Sequence, residues 1–457
     1  MKKPARYLLG LALLATTATA QPQVGDVLIQ NATVLTVTNG TLENTDILVR
    51  NGKIERIGQG LTAPGGVEVV DATGKYVMPG IIDAHAHIAL SAVNEATDPV
   101  TAMVTMEDVV NPYHIGIYRA LAGGVTTSHL MHGSANVIGG QNETIKHRWG
   151  YTNPDDLRFE GAPRTIKFAL GENPTRVHGK RGGGGSGKAK VPATRMGVEA
   201  VIRDAFEQGL RYKEAWERYE AERRRNPRAI PPPYDLRLET LADILRGDVL
   251  VHCHSYRADE ILMLLRVLKD YGIEKVTFQH ANEAFKVAPE LAAFGAYASV
   301  FSDWWSYKFE VYYSTAYNAA ILTRNGVVTS INSDSGELNR HLYHEAAKSQ
   351  RYGGLTDDEA LALITINPAR QLGIDDRVGS IEVGKDADLV VFDGHPLSVY
   401  AIPVMTFVDG VRYFDRERDP DDIRLHVDPE APVDASRFVT DEDWHALEAT
   451  AGWLFQF

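Results

Sequence analysis

The sequence predicts an α/β protein: a (β/α)8 TIM-like barrel with a small β-sandwich domain built from both chain ends. Three observations point there. The middle of the chain alternates short apolar strands with helix-like stretches. Both ends are β-rich and carry matching hairpin signals. The length, 457 residues, suits one large barrel plus a small accessory domain.

The first β region holds DVLIQNATVLTV (26–37) and DILVRNGKIERIG (46–58), both rich in β-branched residues. Asn51-Gly52 sits between two apolar-alternating runs, a strong short hairpin signal. Near the other end, ADLVVFD (387–393) reads as a strand, and AIPVMTFVDGVRYF (401–414) carries Asp409-Gly410 between strands. Matching ends around a different middle predict one composite domain from 21–78 and 373–430, with a tail at 431–457.

The barrel is placed at 79–372. Its candidate strands are GIIDAH (80–85), VTTSHLM (125–131), RTIKFAL (164–170), DVLVHCH (248–254), KVTFQH (275–280), AYASVF (296–301) and GVVTSIN (326–332). Near-continuous apolar strands separated by helix-length segments, such as 258–272, predict a parallel sheet. The remaining strand is expected at about 134–139. A glycine- and lysine-rich loop (178–197) interrupts the pattern. Val198, Val201, Ile202, Ala205, Tyr212, Trp216 and Tyr219 then recur at helical spacing, until Pro227 and the Pro231 to Pro233 run. This reads as a loop-helix insertion at about 178–233, between strands four and five.

Residues 1–20 read as a signal peptide. Lys2, Lys3 and Arg6 precede a short apolar run, and Ala18-Thr19-Ala20 supplies a cleavage pattern. The expectation is export, most simply to the periplasm, with no stable membrane span, because the apolar run is too short. Apolar content of 44% and charged content of 23% are ordinary for a soluble enzyme. A net charge of −13 argues against nucleic acid as a partner. Cys253 is the single cysteine, so no internal disulfide forms.

The chemistry concentrates at strand ends. His85 and His87 lie two apart, so in a strand they share one side, roughly 6–7 Å apart along the chain. Two imidazoles so placed can converge on one metal ion, with nitrogens at about 2.0–2.1 Å. Asp83 shares their alternation. Taken alone, the pair reads more readily as hydrogen-bonded histidines in a polar strand end. The pattern repeats, however, at His252 and His254. His280 ends the next strand, and Asp334 follows GVVTSIN. All sit at C-terminal strand edges, where parallel barrels build active sites. Nitrogen-rich ligands with one carboxylate suit zinc or a similar divalent ion.

PGIIDAHAH at the barrel start and ITINPARQLGIDDRVGSIEVGKDADLVVFDG (365–394) at its end resemble the amidohydrolase superfamily. The resemblance covers nearly all of 26–414 and is nearest to imidazolonepropionase-like and Xaa-Pro-dipeptidase-like members. It implies that His85 and His87 bind the more buried metal, and that His252 and His280 bind a second. Asp334 would ligate metal and act as general base. A bridge is also implied, either a carboxylated Lys167 or Glu172; the sequence leaves both open, and with them the choice of one ion or two. His254 would contact a substrate carbonyl or support a ligand.

The implied function is metal-dependent hydrolysis of an amide C–N bond, in a dipeptide, an N-acylated amino acid or a cyclic amide. The partner would be a small-molecule amide or short peptide, and a homo-oligomer is compatible with the sequence. Deamination of a small heterocycle is the alternative. A non-catalytic binding barrel is a third reading, and it predicts missing ligands, whereas every expected His and Asp is present.

Other features weigh less. GGGGSGKA (182–189) lacks the Ser or Thr and the preceding strand of a phosphate loop. His129 and His132 suit a pocket lining or packing. His341 and His344 are expected on a helix, facing solvent. The aromatic run 301–313 suits either a substrate wall or core packing.

Overall fold

The computed structural model describes residues 22–179, 191–305 and 307–418. The export pattern, the glycine-rich center of the insertion with its phosphate-loop lookalike, and the 431–457 tail lie outside the described residues.

The chain opens with β1 (Val27–Leu35), β2 (Thr41–Arg50), β3 (Lys53–Gly58), β4 (Glu68–Asp71) and β5 (Tyr76–Pro79). β2 and β3 form the hairpin signalled by Asn51-Gly52, whose φ values of 51° and 72° are those a two-residue turn of this hand requires. β1 pairs antiparallel with β2, and parallel with β4 and then β5. At Gly80 the chain passes into the barrel. A Cβ there would lie 2.1 Å from Thr126 Oγ1, so no larger residue fits.

The barrel strands are β6 (Ile81–Ala86), β7 (Val125–Leu130), β8 (Ile138–Lys146), β9 (Arg164–Ala169), β10 (Val249–Ser255), β11 (Val276–His280), β12 (Tyr297–Val300) and β13 (Thr329–Ile331). They pair in sequence order. The ring is drawn closed by the residues after β13: Asp334 N–H donates to His85 O at 3.0 Å, and Ser333 N–H to Asp83 Oδ1 at 3.2 Å.

One expectation fails. The third strand lies at 138–146, not 134–139, and runs antiparallel to both neighbors. The physical reason is the link from β7, residues 131–137. A parallel return needs a crossover of about a dozen residues or more. The reversal carries the C-terminal end of β8 to the opposite rim of the barrel. There the fully buried Lys146 meets Asp386 at 2.9 Å, Asp388 at 3.2 Å and Asp409.

Those aspartates flank the returning strands β14 (Leu389–Phe392), β15 (Pro403–Val408) and β16 (Val411–Asp415). β14 adds antiparallel to β5, giving the order β16-β15-β14-β5-β1-β2-β3. The sheet's ends meet through Ala387 N–H to Gly52 O (2.8 Å) and Gly410 N–H to Ala387 O (3.0 Å). One core results, with Val27, Ile29, Ile47 and Val49 from the first segment and Leu389, Val391 and Phe407 from the second. Matching hairpin signals at the two ends predicted this composite sheet.

In the insertion, Thr194 caps a helix over Arg195–Arg223. Its buried stripe (Val198, Ile202, Phe206, Gly209) packs on the helix Leu236–Arg246, where a Cβ on Gly209 would lie 2.9 Å from Leu241 Cβ. Its first residue, Arg195, reaches the loop after β12 through Glu310. Among the described residues no helix is long and apolar enough to cross a membrane.

Candidate metal and catalytic site

β6 carries His85 inward and ends just before His87. His85 is fully buried and His87 half-buried, with ring centroids 5.1 Å apart. β11 brings His280, whose ring lies 4.6 Å from that of His85. Asp334 follows β13. Its Oδ1 lies 3.1 Å from His87 Nε2 and 3.5 Å from His85 Nε2, and its Oδ2 lies 3.7 Å from His280 Nε2. His280 and Asp334 hold φ values of 66° and 44°. Non-glycine residues in this region cost on the order of 1–3 kcal/mol each and cluster at functional sites.

The hydrogen bonds behind the rings decide what the nitrogens offer. His87 Nδ1 donates to Met131 O at 2.9 Å, which leaves Nε2 to face the Asp334 carboxylate. Two acceptors 3.1 Å apart need a proton or a cation between them. His85 Nδ1 meets Gln279 Oε1 at 3.1 Å, which leaves Nε2 as the acceptor that faces the site. His85, His280 and Asp334 offer ligand atoms within 4.8 Å of one another. Burial holds His85 well below its usual pKa and lowers His280 to about 3, so both are neutral, the form that ligates metal. This donor set fits a divalent ion.

Lys167, on β9, is fully buried, with Nζ 3.1 Å from His85 Nε2. Burial lowers its ammonium to about 8. Glu172, the other candidate bridge, pairs with Lys308 at 3.4 Å and Arg176 at 3.9 Å. His252 lies across the strand pair from Lys167. Its Nδ1 takes an N–H from Gln279 at 3.0 Å, and its Nε2 is buried with no hydrogen-bond partner among the described residues. The structure thus gathers His85, His87, Lys167, His280 and Asp334. It keeps His252 one step behind Gln279 and engages Glu172 elsewhere.

A sequence profile of the amidohydrolase family matches residues 76–413. The chain belongs to the amidohydrolase family.

A crystal structure of an amidohydrolase from Thermotoga maritima MSB8 is similar at TM-score 0.77 and 36% identity, covering 85% of this chain and 100% of that one. The amidohydrolase tasK of Hapsidospora irregularis is 33% identical over 81% of this chain; the chain spans 40% of that relative's length. A 5-methylthioadenosine/S-adenosylhomocysteine deaminase of Symbiobacterium thermophilum is 24% identical, over 84% of this chain and 92% of its own.

Other residues of this amidohydrolase take supporting places. Asp83 is buried, accepts from the Ser333 backbone and hydroxyl, and is pushed up to about 7 by burial. His129 is locked between Ala84 O and Thr165 Oγ1, its ring 4.7 Å from His252. His132 Nε2 accepts from Glu95 N–H. His341 and His344 are half-buried and stacked on each other at 5.6 Å rather than turned to solvent. The aromatic run divides: Phe301 stacks on His280 at 4.7 Å and on Trp304 at 4.4 Å, whereas Phe309 is 89% exposed. Sequence reasoning missed Gln279, Asn173 and Lys308. Gln279 had one signal, its place directly before His280.

Proposed function

We propose that this chain is a metal-dependent amidohydrolase that cleaves the C–N bond of a small carboxamide, such as a dipeptide or an N-acylated amino acid. The observation that carries the reading is the facing of Asp334 and the Nε2 atoms of His85 and His87, with His280 on the other carboxylate oxygen. These four residues would hold a divalent ion, zinc by donor chemistry. Lys167 as a carbamate, with His252 turned from Gln279, would complete a place for a second. The buried Lys167 amine has His85 rather than a carboxylate as its hydrogen-bond partner, which supports Lys167 over Glu172 as the bridge.

A divalent ion bound there would lower the pKa of a water toward about 7 and polarise the carbonyl. The residues supply the rest. Asp334, which burial raises but its neighbours lower further, stays ionised and takes the proton from the attacking water. It then delivers that proton to the leaving nitrogen. Phe301 and Trp304 form an apolar wall beside His280. The export pattern at 1–20 adds a periplasmic setting to the proposal, checked by the N-terminus of the secreted form.

Deamination is the second reading, motivated by the deaminase relative. A panel of dipeptides, N-acyl amino acids and aminopurines separates the two. Release of a primary amine or amino acid supports amide cleavage. Release of ammonia from the heterocycles alone overturns it.

A further inference from the structure

His254 stands beside this center, its ring 4.8 Å from that of His280 and 4.5 Å from that of Tyr256. Its Nε2 lies 3.1 Å from Asn173 Nδ2. The amide of Asn173 has a fixed face, because its Oδ1 lies 3.0 Å from Lys308 Nζ. An ammonium has only donors, so the atom facing it must be the carbonyl oxygen. The amide nitrogen is therefore the atom turned to Ser134 Oγ (2.7 Å) and to His254. An amide N–H only donates, so His254 Nε2 must accept. That contact leaves no room for a proton on Nε2, and the ring's proton belongs on Nδ1.

Lys308 is itself held in place. Glu172 and Glu310 approach its Nζ at 3.4 and 3.8 Å, and Tyr256 presents its ring face at 4.2 Å. Glu310 is fixed in turn by Arg195 and by the Glu172 N–H. Three loops at the barrel mouth thus converge on one amide. The hydrogen bond of the His254 ring to Asn173 thus runs through Nε2 and not Nδ1.

We propose that Asn173, oriented by Lys308, is a positioning residue that keeps the His254 proton on Nδ1, where it donates to the carbonyl oxygen of the scissile amide. The role of His254 rests on the amide-hydrolysis reading; the position of its proton does not. As negative charge grows on that oxygen in the tetrahedral transition state, a fixed N–H donor stabilises it without rearrangement. No bond to His254 forms or breaks.

The test uses the full chain, zinc-loaded and labelled with 15N-histidine. The His254 signal is identified by its loss in His254→Gln, and its tautomer is read from long-range 15N–1H spectra at pH 7.5. The expected wild-type form is Nδ1–H. Asn173→Asp replaces the donor by an acceptor of the same shape, so the signal should move to the Nε2–H form. On a cleaved amide its kcat should fall roughly 10²–10³-fold, the usual loss for one oxyanion donor, with KM within a few-fold and metal content unchanged. Lys308→Met frees the amide to turn and should give both tautomers. Nε2–H or imidazolium in the wild type, or an unmoved signal in Asn173→Asp, overturns the proposal. A wild type that cleaves no amide overturns the function reading instead, while the spectra still decide where the proton sits.

Discussion

The amine of Lys167 lies 3.1 Å from Nε2 of His85, inside the barrel. A buried lysine on an imidazole gains little from its charge, since burial disfavours the ammonium. The neutral amine that burial favours can add carbon dioxide and lose a proton, giving an anionic carbamate that would face the candidate ligands. Lys167→Ala should then lose bound metal and activity, and short carboxylates such as formate should restore part of both. If Glu172→Gln strips the metal while Lys167→Ala keeps it, the bridge is Glu172.

Gln279 spans the Nδ1 atoms of His85 and His252, at 3.1 and 3.0 Å. Partners of this kind set ligand orientation, and their loss typically costs about 10–100-fold in metal affinity. Gln279→Leu should show that loss in a competitive chelator titration. Gln279→Glu, which accepts from both rings, should bind metal at least as tightly as wild type. Equal affinities for all three proteins would remove Gln279 from the account.

Phe301 and Trp304 stack from His280 outward. Trp304→Ala should raise KM for amides with apolar side chains by about 10-fold, near 1.4 kcal/mol, with little change in kcat. A matched fall in kcat alone would place Trp304 in the chemistry rather than in binding.

On the far rim, Lys146 joins the barrel to the composite sheet through Asp386, Asp388 and Asp409. Lys146→Met leaves buried carboxylates without their cation. Breaking a buried ion pair in this way costs about 3–5 kcal/mol. The denaturation midpoint should fall accordingly, and a loss under about 1 kcal/mol would contradict the assignment.

Much of the candidate site was legible because polar side chains that end apolar runs stand out. His85, His87, His280 and Asp334 end apolar runs, where a polar side chain needs a reason. Gln279, Asn173 and Lys308 were not legible, because their roles depend on which atom faces which across loops far apart in sequence. Lys308 was masked by the aromatic run around it. The antiparallel third strand could have been read from the short 131–137 link, but its apolar start at Val137-Ile138 imitates the other barrel strands. His341 and His344 look like an exposed helical pair; their stacking depends on the turn before the helix, which spacing alone does not reveal.

The central claim is that Asp334 and the converging histidines work by holding a divalent ion. The most direct measurement is metal content of the purified full chain by elemental analysis, followed by amide hydrolysis before and after chelation. The account predicts at least about one equivalent of divalent metal per chain, loss of turnover on its removal, and recovery with zinc or manganese. Full turnover by metal-free protein, or no tight binding of any divalent ion, would contradict it.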